Sequence, residues 1–141
     1  MFYSYPSMSV NGVNEVLVGY SSFSASQYAS ANYSLRTESD PLNTLRDTYL
    51  FKNGEAPYVK TYGDVRNRWG DYSATSVDPA NQLDFWTLQE YAASPANTWG
   101  TWWAMLEREA APVAQFTANI TTVPVSTSVN FTDETLYEPT S

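Results

Sequence analysis

The sequence predicts an all-β chain built from antiparallel sheets, and three observations carry that expectation. Five Trp, eleven Tyr and six Phe, with many Val and Thr, are strand-forming residues. Ser, Asn, Gly and Pro cut these into short runs, most of them ending in turn dipeptides. The chain also repeats. Displaced by 67 residues, Tyr5, Ser9, Val10 and Asn14 fall on Tyr72, Ser76, Val77 and Asn81, and strand, turn, strand and strand keep their order.

Taken along the chain, Val16-Leu17-Val18-Gly19-Tyr20 is an apolar run behind the turn Asn11-Gly12-Val13-Asn14. Asn32 to Thr37 alternates with period two and stops at Ser39-Asp40-Pro41; Thr48 to Lys52 stops at Asn53-Gly54. Each reads as a strand. Three segments also fit a helix: Asp78-Pro79 ahead of Leu83, Phe85, Trp86, Leu88 and Tyr91; Asp40-Pro41 ahead of Leu42, Leu45 and Tyr49; and Trp102 to Ala110. The repeat decides the first of these. It lays Val16-Leu17-Val18 on Leu83-Asp84-Phe85 and Asn32 to Leu35 on Trp99 to Trp102, which favours a second hairpin strand over residues 83–91.

A repeat of this size, made of three or four antiparallel strands, is a propeller-blade pattern, so residues 1–107 read as about two blades. Two blades cannot close a ring; such a chain is either part of a longer protein or pairs with copies of itself. Residues 108–112 form a charged and then small-residue linker. Residues 113–141 read as the first hairpin of an incomplete Ig-like sandwich: Val113, Gln115 and Thr117 alternate with Ala114, Phe116 and Ala118, the Phe face inward, and a turn near Pro124 leads to Ser128–Thr132.

Composition removes several function classes. There is no cysteine and no histidine, which excludes a disulfide framework, thiolate or imidazole catalysis and Cys/His zinc sites within this chain. A formal charge of −8 without any basic stripe argues against nucleic acid and anionic membranes as partners. No apolar run reaches the roughly 20 residues of a membrane span. Met1 to Tyr5 has neither a basic region nor an apolar stretch, and does not read as a signal peptide.

The richest polar segment runs from Asp64 to Tyr72. Arg66 and Arg68 are placed to grip a carboxylate or sulfate while Trp69 and Tyr72 stack on a sugar ring, with Asp71 beside them. The plainer alternative is an Arg68–Asp71 ion pair at a strand entrance, with Trp69 filling the gap between repeats. Asp71 and Glu90, on neighbouring strands in the hairpin reading, are the only carboxylate pair that suggests glycosidase chemistry, and no catalytic residue is assigned. Trp86, Trp99, Trp102 and Trp103 are either packing residues or a sugar-stacking platform. Adjacent residues face opposite sides of a strand, so only one of Trp102 and Trp103 can be core, the other standing in a blade interface or exposed, and Trp102 is the ligand candidate. No cofactor is expected. Calcium is considered at the acidic turns Glu38-Ser39-Asp40 and Asp78-Pro79-Ala80-Asn81, but neither has the spacing of a dedicated loop.

Two stretches carry a family resemblance. Asn67-Arg68-Trp69-Gly70-Asp71-Tyr72-Ser73 on to Asp78-Pro79, then Phe85 to Tyr91 and Trp99 to Trp102, resembles the last blades of large secreted bacterial β-propeller proteins, sialidase-like in outline; the likeness spans about residues 4–106. Residues Pro112 to Asn119 and Val129 to Asp133 resemble the start of a polycystic-kidney-disease-type (PKD) domain. The resemblance implies a piece of a modular extracellular or cell-surface protein. Its expected role is structural or adhesive and non-catalytic, with glycans or neighbouring blades and domains as partners. The alternatives are part of a glycoside-hydrolase propeller whose other catalytic groups lie outside this chain, and a self-assembling sheet protein. The Asp-box of catalytic sialidases, Ser-x-Asp-x-Gly-x-Thr-Trp, has no counterpart here.

Overall fold

The computed structural model describes residues 1–63, 65–108, 116–120, 122 and 124–134; among these there are nine strands and no helix. The chain divides into two units, Met1–Arg108 and Glu109–Ser141. Asp64 and residues 109–115, which include most of the expected linker and the start of the expected second-domain strand, lie outside the described residues.

The first unit holds two antiparallel sheets. Strands β1 (Phe2–Val10), β2 (Val16–Ser24), β3 (Gln27–Arg36) and β4 (Tyr49–Lys52) pair in chain order. Strands β5 (Ala74–Val77), β6 (Phe85–Ala93) and β7 (Thr98–Leu106) form the other sheet, again in order. Two of the three segments that also fit a helix hold strand instead, β6 over Phe85 to Tyr91 and β7 as far as Leu106, with Ala110 outside the described residues. Asp78 does not cap a helix: its carboxylate takes Ala80 N–H at 2.8 Å and the Trp86 indole at 2.8 Å, and Gln82 turns the chain back with φ of 61°. Of the stretch after Asp40-Pro41, residues 41–48 are neither helix nor strand and lead into β4.

The repeat is real in the register, with one correction to its alignment. Val10 pairs with Val16 across the first turn, and Val77 with Phe85 across its counterpart. The second turn is thus two residues longer: Val10 matches Val77 at a displacement of 67, but Val16 matches Phe85 at 69 rather than Leu83. The third strand shifts once more, since Val16 pairs with Arg36 and Phe85 with Leu106, a displacement of 70. Both turns are closed alike. Asn11 Oδ1 accepts Val13 N–H and Glu15 N–H, much as Asp78 serves Ala80, and the two turns meet through Gly12 N–H on the Gln82 carbonyl at 3.0 Å.

This register shows how the sheets stack. Ser7, Leu17, Gly19 and Ser21 share one face of the first sheet, and that face meets Thr75, Thr87 and Gln89 of the second. The positions of the second sheet that correspond to Leu17, Gly19 and Ser21 are Trp86, Leu88 and Glu90, on its opposite face. Unlike faces meet, so the two repeats pack head to tail. Gly19 marks the closest approach: a Cβ there would run into the Gln89 and Thr87 side chains. The interface is largely polar. Gln89 Nε2 donates to Ser7 Oγ at 2.8 Å and Thr87 Oγ1 at 3.0 Å, and Ser7 bonds Thr75 at 2.8 Å. Leu17, Ala31 and Phe85 supply the buried apolar part.

Neither Trp102 nor Trp103 is core: they are 45% and 62% exposed. Strand β7 is a sheet edge. Trp103 lies against Trp86 on the uncovered face, ring centroids 5.1 Å apart, while Trp102 meets Tyr91 edge-on beneath the Lys52 ammonium, which sits 4.6 Å from its ring.

In the second unit β8 (Phe116–Ala118) pairs antiparallel with β9 (Phe131–Asp133), and Pro124 to Thr127 forms the expected turn. Phe116 meets Phe131 edge-on at 5.7 Å, but both remain largely exposed. The Phe face expected to point inward has no second sheet to cover it among the described residues, as befits a two-stranded ribbon.

Candidate functional site

The segment joining β4 to β5 crosses both sheets and is fastened to each. Glu55 N–H reaches the Ala92 carbonyl at 2.7 Å, and Asn97 binds the segment twice, through Pro57 O and Val59 N–H. The Asn67 amide folds it on itself, accepting from Lys60 N–H and donating to Tyr58 O. Trp69 then donates its indole N–H to Ser21 Oγ on β2 at 3.1 Å, while Gly70 N–H and Tyr72 N–H both bind the carboxylate of Glu90 on β6, at 2.7 and 3.1 Å. Trp69 thus ties the loop to the first sheet, and Gly70 and Tyr72 tie it to the second.

A cavity of about 380 Å³ opens above this junction. Arg68, Trp69, Asp71 and Tyr72, four of the six candidate residues, line it together. Tyr58, Tyr62, Glu90 and Trp99 complete the wall. Tyr72 and Trp99 are stacked, centroids 4.9 Å apart and planes 14° from parallel, and both rings are exposed, at 53% and 40%. Tyr58 meets Trp69 edge-on at 5.0 Å. Burial, and then the neighbouring Tyr62, push the Tyr58 hydroxyl above its ordinary pKa, so it stays a neutral donor.

The remaining candidates fall elsewhere. Arg66 is exposed and does not line the cavity, and Trp102 lies beneath the Lys52 ammonium beside Tyr91. The alternative of an Arg68–Asp71 ion pair is not formed: the ion pairs among the described residues are Arg46–Asp40, Lys52–Glu55 and Arg108–Glu15. The arginine is free to face a ligand because the backbone, through Glu90, rather than its side chain holds the loop. Asp71 and Glu90 do line one cavity, but Asp71 lies in a bend before β5, not on a strand, and Glu90 is 3% exposed with both oxygens occupied by backbone N–H groups. Such a carboxylate positions the loop, since each of its oxygens already accepts one backbone N–H.

The acidic turns considered for calcium have other work. Asp40 accepts from Arg46 and Thr37, and Asp78 from Trp86 and Ala80. Sequence reasoning did not single out Tyr58 and Tyr62, which come from an irregular segment with no strand pattern; the aromatic pair flanking Lys60 ahead of Gly63 was the available signal. Comparison with family models, curated proteins and solved structures finds no match to this chain.

Proposed function

We propose that the first unit is a non-catalytic, carbohydrate-contacting module of an extracellular multidomain surface protein, two blade-like repeats of a larger propeller, followed by the start of a PKD-like domain. The observation that carries the binding reading is the Tyr72–Trp99 stack at the mouth of the cavity. Two exposed, nearly parallel rings offer flat apolar faces to the axial C–H groups of a sugar, and Arg68, Asp71 and the Tyr58 hydroxyl supply hydrogen bonds to its hydroxyls. Arg68 adds a charged fork for a carboxylated or sulfated sugar. The head-to-tail stacking of unlike faces supports the blade reading, because repeated sheets that meet this way build rings or solenoids.

The glycoside-cleaving alternative is favoured by the approach of Asp71 and Glu90 to one cavity, and opposed by the commitment of Glu90 to Gly70 and Tyr72. The exposed face of Trp86, Leu88, Trp103 and Met105 favours self-association as a second property of the module.

Affinity electrophoresis through gels cast with soluble neutral and carboxylated polysaccharides tests the binding reading. At least one polysaccharide should retard the protein, Trp99→Ala should restore free mobility, and Arg68→Ala should lose only the carboxylated partner. Free mobility in every gel overturns the reading.

A further inference from the structure

A second cavity, of about 440 Å³, lies against the other side of the same loop. Its lining includes Tyr5, Phe23, Tyr28, Pro57 and Val59, and it shares two residues with the first cavity, Tyr58 and Trp69. The edge-on Tyr58–Trp69 pair, half-buried and lining both, is therefore a partition between two hollows.

The two hollows differ in chemistry. Arg68, Asp71 and Glu90 give the first its charge, whereas the second has no charged residue among the described ones that line it. Its single side-chain amide, Asn67, is spent on Lys60 N–H and Tyr58 O. What it presents is the faces and edges of aromatic rings. Each volume is near the lower end of the few hundred Å³ usual for a small-molecule site, so each suits one ring-sized group.

The same backbone fixes both. Gly70 N–H is held by Glu90 at the wall of the first cavity, and Gly70 has room for no Cβ because the Tyr5 ring of the second lies directly on it. Tyr5 holds that position with φ of 55°, at the bulge in β1, a left-handed conformation uncommon for an aromatic residue and one that is found where a ligand site is kept in shape. The repeat displacement of 67 that aligns Tyr5 with Tyr72 places one member of the pair in each hollow.

We infer that the two hollows are one site straddling the Tyr58–Trp69 partition, and that the second takes an aryl group attached to the sugar bound in the first. The inference rests on the carbohydrate reading of the first cavity. Its ligand class is an aryl glycoside: polar ring beside Arg68 and Asp71, aromatic ring among Tyr5, Phe23 and Tyr28.

Isothermal titration of the full chain with methyl, octyl and 4-nitrophenyl glycosides of glucose, galactose and N-acetylglucosamine, and with 4-nitrophenol alone, tests it. For the sugar that binds, the 4-nitrophenyl glycoside should bind about tenfold tighter than the methyl glycoside. Tyr28→Ala should remove that advantage and leave the methyl affinity and the melting temperature unchanged. Equal affinities for methyl and 4-nitrophenyl glycosides, an octyl glycoside as tight as the aryl one, or an aryl advantage that survives Tyr28→Ala each overturn the inference and leave the sugar reading standing. Binding of 4-nitrophenol alone, lost in Tyr28→Ala, with no glycoside bound, keeps the aryl hollow and overturns the sugar reading. Silence from every probe overturns both.

Discussion

Glu90 and Gly70 are joined by a 2.7 Å hydrogen bond from a loop N–H to a strand carboxylate that is almost wholly buried, and the second oxygen of Glu90 takes Tyr72 N–H. The loop that carries Arg68, Trp69, Asp71 and Tyr72 owes its position to this clasp. Glu90→Ala leaves two N–H groups unpaired, and its expected cost is about 3 kcal/mol in urea unfolding. Glu90→Gln retains one acceptor and should cost less. Both variants should weaken polysaccharide retardation, in the same order.

Gly19→Ala tests the closest approach of the sheets. The added methyl meets Gln89 and Thr87 side chains inside a packed interface, so the expected loss is about 2 kcal/mol, with no change in the slope of the denaturation curve.

Acid should loosen the first unit through its turns. The Arg46 guanidinium, with Thr37, holds Asp40 below its ordinary value of 3.8, and the Trp86 indole, with Ala80 N–H, does the same for Asp78. A depressed folded pKa means that the stability these groups contribute is present in full above the unfolded value and is lost as pH falls through the folded one. The melting temperature should therefore drop from about pH 4 downward, and the drop should be shallower in Asp78→Asn and in Asp40→Asn.

The uncovered face gives a prediction about association. Trp103 is exposed against Trp86, within reach of Leu88 and Met105. Sedimentation velocity should show a mass that rises with concentration for the unaltered chain, and Trp103→Glu should hold it at the monomer value.

Much of the architecture was legible because strands with turn dipeptides at their ends announce themselves locally, and four of the cavity residues were legible because they are neighbours in sequence. The rest depends on contacts between distant segments. No local pattern shows that the second turn is two residues longer, so the alignment slipped from Phe85 to Leu83. Alternation allowed only one of Trp102 and Trp103 to be core; that neither is follows from β7 lying at a sheet edge, which alternation does not show. Asp71 and Glu90 were weighed as a carboxylate pair, with no catalytic role assigned, because the hairpin reading sets them on neighbouring strands; the sequence cannot show that both Glu90 oxygens accept backbone N–H groups. Tyr58 and Tyr62 belong to irregular chain, where periodicity says nothing.

The turns of the two repeats carry one further consequence. Glu15 and Asp84, the residues just before β2 and β6, are both buried, and both are answered by Arg108: its guanidinium Nε meets Glu15 at 3.2 Å and its backbone N–H meets Asp84 at 2.8 Å. The last residue of the unit is thus its keystone. A shortened version that stops at Leu106, where the final strand ends, would take from Glu15 its cation and from Asp84 a backbone donor, leaving Glu15 to Asn11 and Asp84 to Asn81. The two turns are thus tied to each other by a residue two positions beyond the last strand.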